Sequence, residues 1–312
     1  MTAGRGELFG GLLILASMAI LGLSDNLFYF TQDAMGLGQF HALRAFLSIL
    51  LLVPFAMMMK ISLRPLRWRQ TLMRTVLITI AMILYFGSLP IMSVAEAAAG
   101  LFTSPIFVLL FTALIYKEAI GWRRITAVAI GTLGVIIVLR PGGNGFQLLQ
   151  LMPVAAGAFY ALSSMVTRRW CADENPITMV CVYQLLIGSI GGASAYYFGI
   201  MPVSDSLFET APFFFTSWQP MEFMVWVWMF LQAFLSVIAL VLLTKGYQSA
   251  DTSYVAIFEY SLLIFASIWT YILWGTNLPL SSFIGFAMIA VSGVIISRAL
   301  PKMEPKELAD TA

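Results

Sequence analysis

The chain has 312 residues, of which 60% are apolar, 14% aromatic and only 10% charged, where soluble domains carry about 25% charged residues. With a mean hydropathy of +0.91 and a formal charge of +2, this composition excludes a soluble globular protein and points away from a nucleic-acid partner. Two cysteines, Cys171 and Cys181, make neither a disulfide framework nor a metal cluster.

A helix crosses the hydrocarbon with about 20 residues, so the length allows about ten spans with short connections. In chain order they fall at about 9–30, 39–59, 73–93, 97–116, 122–139, 151–168, 177–199, 223–245, 252–273 and 281–298, to within a few residues. The first reads as a span and not a cleaved signal peptide: its apolar core exceeds an h-region and no Ala-x-Ala-like site follows. The charge-free run 260–297 is divided by the turn-forming stretch at 275–279. Of 17 Lys and Arg, 15 fall on one side of these spans; Arg140 lies on the other and Arg44 inside span two. The positive-inside rule then predicts cytoplasmic termini and a multi-pass inner-membrane protein. Loop 200–222, with Asp205, Glu209 and Glu222 and the aromatic cluster Phe213, Phe214, Phe215 and Trp218, suits a segment lying in the interface. Gly188-x-x-x-Gly192 and Ala127-x-x-x-Gly131 have the spacing of close helix packing. Pro54, Pro90, Pro105 and Pro153 fall in or beside spans, where a proline bends a helix.

The chain repeats itself weakly. The segment 95–107 aligns with 250–262 at an offset of 155, and Gly134-Val135-Ile136-Ile137 with Gly293-Val294-Ile295-Ile296 at an offset of 159. Five spans per half is an odd number, so the second half inserts upside-down, an arrangement that puts substrate near the midplane between the halves. The expected fold class is therefore an all-α integral membrane protein of ten helices in two inverted five-helix repeats, 1–145 and 146–300, with 301–312 as a cytoplasmic tail.

A charge inside hydrocarbon costs about 2.5–3.5 kcal/mol on insertion scales, so it needs a reason. Asp25, Arg44 and Glu259 lie well inside the expected spans. Counting about 1.5 Å per residue, Asp25 and Arg44 sit at one level, roughly 8 Å to the outer side of centre, which favours an ion pair serving structure or an outer gate. Glu259 lies about 5 Å to the inner side and is left without an evident cation. A carboxylate so placed either takes up a proton or is balanced by a cationic substrate; the bland alternative is a protonated Glu259 bonded to Ser163 or Ser164. Glu96 and Asp251 start spans four and nine and act there as N-terminal acids or as gates. His41, one turn before Arg44, is a structural residue or a proton relay. Aromatic residues beside Glu259 can form a cation-binding wall, though most pack or face lipid.

The chain resembles the drug/metabolite transporter superfamily, in particular its ten-helix EamA branch. The resemblance covers nearly the whole length and rests on Leu89-Pro90-x5-Glu96-Ala97, Phe102-Thr103-Ser104-Pro105, Tyr116-Lys117-Glu118, Gly121-Trp122-Arg123-Arg124, Gly131-x-x-Gly134 and Leu139-Arg140-Pro141-Gly142, with Leu43-Arg44 and Phe258-Glu259-Tyr260. The second half departs from the pattern at Gly275-Thr276 and Ala256-Ile257. The resemblance implies a central cavity lined by Asp25, Asn26, Tyr85, Phe102, Ser104, Tyr160, Ser163, Gln232, Glu259 and Tyr260. Arg44, His41, Gln184, Glu96 and Asp251 would support or gate it.

Together these features predict a secondary transporter of a small polar, cationic or zwitterionic metabolite, such as an amino acid, an amine or an S-adenosylmethionine-like compound. It would work by alternating access, with protons as a candidate coupling partner, membrane lipids around it, a monomeric or homodimeric state, and no cofactor or metal. The alternatives are an exporter of amphipathic drugs or metabolites and a lipid-handling protein. A membrane-embedded enzyme has little support: there is one histidine, no Gly-x-Ser-x-Gly, no His-Glu-x-x-His and no Walker-type loop.

Overall fold

Backbone N–H and C=O groups in hydrocarbon have no water to bond, so an apolar chain satisfies them within its own helices. The computed structural model describes residues 3–88, 94–117, 119–139, 151–210, 212–275 and 280–297, and no strand occurs among them. The helices are α1 (Ala3–Phe28), α2 (Leu37–Met58), α3 (Trp68–Ser88), α4 (Val94–Leu101), α5 (Ser104–Leu114), α6 (Trp122–Leu139) and α7 (Met152–Trp170). They continue as α8 (Pro176–Ile200), α9 (Asp205–Thr210), α10 (Pro212–Phe215), α11 (Phe223–Ser249), α12 (Thr252–Val255), a 3-10 segment (Ala256–Tyr260), α13 (Ser261–Trp274) and α14 (Leu280–Ser297). Six helical stretches among the described residues are long and apolar enough to cross a membrane: Gly6–Phe28, Leu37–Met58, Trp68–Ser88, Pro176–Ile200, Phe223–Ser249 and Thr252–Leu273. The C-terminal tail, Arg140 and the Pro90 region lie outside the described residues.

Each apolar segment is helical where described, but spans four and nine are not the continuous helices the sequence suggests. The first breaks at Phe102 and Thr103, between α4 and α5, with Pro105 in the opening turn of α5, where its missing N–H breaks no bond. The second narrows to a 3-10 segment over Ala256–Tyr260. At each break a hydroxyl takes over a carbonyl that the α-helical ladder releases. Thr103 Oγ1 donates to Gly100 O at 2.6 Å and Ser261 Oγ to Phe258 O at 2.6 Å, so neither interruption strands that polar group in an apolar surround.

The helices pack in pairs: α1 with α11 and α13, α3 with α7, α2 with α8, and α6 with α14. Glycines set these distances. A Cβ at Gly188 would stand 2.5 Å from that of Ala45, one at Gly191 2.6 Å from the Gly38 carbonyl, and one at Gly134 2.8 Å from the Gly285 carbonyl. The small-residue runs are helix contacts, as their spacing suggests.

One end of the bundle gathers the start of α1 with the α2–α3 and α7–α8 turns; we call it the basic face. Glu174 accepts from the amides of Leu66 (2.9 Å) and Arg67 (2.5 Å), and Gln248 Nε2 donates to the carbonyls of Cys171 (2.6 Å) and Glu174 (2.8 Å). Cys171 and Cys181 are free and buried; burial pushes the Cys171 thiol up, away from the reactive thiolate. At the opposite, far face the interfacial segment folds as α9 and α10 over the helix ends. Gln39 and Gln219 exchange two 2.8 Å hydrogen bonds, and the Phe213 ring meets Phe28 edge-on at 5.8 Å. Gly275, at φ +63°, ends α13 in the left-handed region that glycine enters without strain.

Candidate functional site

Glu259 sits in the 3-10 break and is 4% exposed. Tyr160 Oη, from α7, donates to its Oε1 at 2.5 Å. The Tyr247 hydroxyl of α11 lies near the same carboxylate and near Ser164. Among the described residues no Lys, Arg or His nitrogen lies within 4 Å of Glu259. A phenolic donor thus replaces part of the water a buried carboxylate would keep. A cation or a proton would complete it.

On the basic-face side of Tyr160, Arg74 of α3 is buried at 9% exposure. Its Nε donates to Thr167 Oγ1 at 3.3 Å and its Nη2 to Thr244 Oγ1 at 3.4 Å. Toward the far face, Asp25 lies on the side of α1 that also carries the buried Ile14 and Met18, yet it is itself exposed. Arg44 and Tyr85 act on it electrostatically. The expected Asp25–Arg44 ion pair is not formed, since no oxygen–nitrogen contact within 4 Å joins them. The Arg44 guanidinium lies instead 4.9 Å from the Phe40 ring centroid, with Nη2 at 3.5 Å from His41 Nδ1, where the ring face draws it away from Asp25.

The exposure along this lining changes sharply. Asp25 is exposed and Asn26, Arg44, Tyr85 and Tyr160 are half-buried, whereas Ser163, Ser164, Thr167, Thr244, Arg74 and Glu259 are buried. Exposure thus falls along this lining from Asp25 through Tyr160 to Arg74 and Glu259. Nearer the basic face, Arg124 of α6 holds Asp251 at 3.2 Å and Ser253 Oγ at 2.6 Å. Asp251 also caps α12, accepting from Ser253 N at 2.9 Å and from the Ser253 hydroxyl. One acid therefore serves as cap and as cross-link to α6.

Residues 8–140 match the EamA-like transporter family. The chain is 27% identical to a riboflavin transporter of Vibrio cholerae serotype O1 over 265 residues, 84% of this chain and 83% of that one. It is 23% identical to an S-adenosylmethionine uptake transporter of Rickettsia bellii over 268 residues, 85% of each chain. A protein of known crystal structure, 16% identical, superposes with a TM-score of 0.75 over 96% of this chain and 100% of its own, a likeness of fold. The chain carries an EamA-like transporter domain over residues 8–140. It is a multi-pass membrane protein that moves small molecules, not an enzyme.

In this transporter the expected site residues divide into three groups. Glu259 and Tyr160 meet directly, and Asp25, Arg44 and Tyr85 face one another more loosely. A second group fastens helices. Asn26 Nδ2 donates to Gly22 O (2.8 Å) and Ala266 O (3.1 Å), and its Oδ1 accepts from Thr270 Oγ1 (2.8 Å). The Tyr260 ring stacks where a Gly131 side chain would be and meets Thr132 Oγ1 at 3.0 Å, with Phe102 edge-on at 6.3 Å. Ser163 Oγ donates to the Arg74 carbonyl at 3.1 Å rather than to Glu259. Gln232 Nε2 donates to Ser24 O at 3.3 Å, and Ser104 is buried at the start of α5. The third group is buried with polar atoms unmet: His41 Nε2 and the whole Gln184 amide. The Glu96 side chain lies outside the described residues. Sequence reasoning missed Arg74, counted among the cytoplasmic basic residues, and Tyr247. The available signal was Thr71, Arg74, Thr75 and Thr79 at helical spacing inside an apolar run.

Proposed function

We propose that this transporter is a secondary carrier of a small cationic or zwitterionic metabolite, with Glu259 as the group that receives the positive charge. The observation that carries the reading is a buried carboxylate at a helix break, bonded by Tyr160 and lacking a protein cation among the described residues. A proton and a cationic substrate would compete for that carboxylate, which is the elementary requirement for proton-coupled exchange. The named activity of the Rickettsia relative supports the charge sign, because S-adenosylmethionine carries a sulfonium.

Alternating access between inverted halves, 1–145 and 146–300, is part of the proposal. It is supported by packing that survives exchange of the halves. α1 on α11 corresponds to α7 on α3, α1 on α13 to α7 on α5, while α2–α8 and α6–α14 pair with their own counterparts. Each break rests on a glycine of the opposite half: a Cβ at Gly157 would come 2.8 Å from Thr103 Oγ1, and one at Gly11 3.0 Å from the Phe258 ring. In such a cycle the Arg124–Asp251 pair would be a contact of one end state, made and broken as the halves rock. Cytoplasmic termini and the inner membrane follow from the positive-inside rule.

A second reading, an exporter of amphipathic compounds or a lipid-handling protein, is favoured by one observation. An apolar groove of about 340 Å³ between α1, α13 and α14 is lined by Leu12, Phe258, Ile264, Phe265, Ile289 and Val294, adjacent in sequence to Glu259.

Uptake of S-adenosylmethionine into proteoliposomes, with and without a pH gradient, tests the first reading against riboflavin as an uncharged comparison. Glu259→Gln is expected to lower S-adenosylmethionine uptake at least about tenfold, equivalent to about 1.4 kcal/mol. Unchanged uptake with an unchanged pH profile in that variant overturns the role of Glu259.

A further inference from the structure

A guanidinium taken out of water requires an anion, and Arg74 has none. It is 9% exposed, and among the described residues no carboxylate oxygen lies within 4 Å of it. Its bonds run to two neutral hydroxyls at 3.3 and 3.4 Å, both long for a charged donor. The acids that could have neutralised it are engaged elsewhere. Glu259 is held by Tyr160, Glu174 by the amides of Leu66 and Arg67, and Asp25 faces Arg44.

The neighbours of Arg74 on α3 are unfilled as well. Thr75 and Thr79, one turn apart on a buried face, are 0% and 2% exposed, and neither hydroxyl has a hydrogen-bond partner. Buried polar groups are rarely left unmet. A cation bonded only by neutral hydroxyls, beside two unmet hydroxyls on the same stretch of helix, calls for an acceptor, and an oxyanion supplies several acceptor lone pairs in one group. Tyr160 links this cluster to the carboxylate described above: it bonds Glu259 and feels the charge of Arg74.

We propose that Arg74 is the anion-binding pole of the transport site and receives a carboxylate of the substrate. Glu259 takes the positive charge at the other end, with Tyr160 between them. The substrates are then zwitterions carrying a free carboxylate, not simple amines. This inference rests on the reading of Glu259 for the cationic end only; the anionic end stands on Arg74 and its unmet neighbours.

The test uses two pairs of probes that differ by one carboxylate: S-adenosylmethionine against its decarboxylated form, and arginine against agmatine. Binding to the purified full chain is read by ligand-induced thermal stabilisation. The wild-type protein is expected to prefer the carboxylated member of at least one pair by about tenfold or more, because a site built around a polar group rejects the analogue lacking it. In Arg74→Gln the preference falls to within about twofold while the decarboxylated member still binds, and Arg74→Lys, a point charge without the guanidinium fork, lies between. A wild-type protein with no preference, or one that binds neither member of either pair, overturns the proposal, as does an Arg74→Gln variant that keeps the full preference. If Arg74→Gln does not fold, an undiminished preference in Arg74→Lys overturns it equally. The two readings fail separately: affinity untouched by Glu259→Gln with preference lost in Arg74→Gln removes the cationic pole and keeps this one, and the converse pattern does the reverse.

Discussion

The two helix breaks occupy corresponding places in the sequence, offset by 155 residues, yet they hold different chemistry. At the first, Thr103 bonds its own chain and the break is packed on Gly157 of α7. At the second, a carboxylate projects from the 3-10 turn, is bonded by Tyr160 of α7 and lies near Tyr247 of α11. An interruption is thus a property of the architecture, since a back-bonding hydroxyl and a glycine neighbour suffice to keep it satisfied. A binding site is the further step of putting an unpaired charge there.

Several substitutions would break or sharpen that contrast. The largest effect is expected for Tyr160→Phe, which removes a donor to Glu259; a hydrogen bond to a charged group contributes about 1.5–3 kcal/mol. Transport should fall while the thermal unfolding temperature moves little, and normal uptake would show that Glu259 does not depend on this bond. Next come the glycine contacts. A Cβ at Gly22 meets the Ala266 amide nitrogen at 2.8 Å and the Phe265 carbonyl carbon at 3.0 Å, and one at Gly157 meets Thr103 Oγ1 at 2.8 Å. Gly22→Ala faces backbone that cannot swing aside and should lose about 1–3 kcal/mol of stability; Gly157→Ala, which meets a rotatable hydroxyl first, should lose less. Equal losses measured by thermal unfolding would mean that the α1–α13 contact and the first break are equally rigid. Tyr260→Phe, deleting the 3.0 Å contact with Thr132, should cost about 1 kcal/mol of stability without changing substrate preference, because Tyr260 packs and does not line the site. The smallest effect is expected for Arg124→Gln. Its ion pair with Asp251 is 29% and 35% exposed, so screening holds its contribution to about 0–1 kcal/mol; the readout is a salt-dependent change in transport rate more than in stability.

The glycine and hydroxyl positions also explain why the breaks were not read from the sequence. Both interrupted spans are apolar throughout, and hydropathy averages over a window longer than a broken turn. Pro105 marks the first break only in retrospect, because a proline also sits comfortably at an ordinary helix start. The second has no proline at all. In the same way Asp25 and Arg44, level by residue count, looked like an ion pair, and the aromatic face of Phe40 drew the guanidinium elsewhere. Residue counting fixes depth along a helix but not rotation about it or the path of a long side chain.

The sequence by itself determined the membrane class, the position of each apolar helix to within a few residues, the close-packing glycines and the isolation of Glu259 from protein cations. These follow from local composition and period, since hydrocarbon demands helices whatever surrounds them. Only the tertiary structure decided that Arg74 lies buried among hydroxyls, that Tyr160 bonds Glu259, and that Arg44 turns to Phe40. Those facts depend on which helix faces which, and that is set by contacts between residues far apart in the chain, 93 positions for Arg74 and Thr167 and 99 for Tyr160 and Glu259.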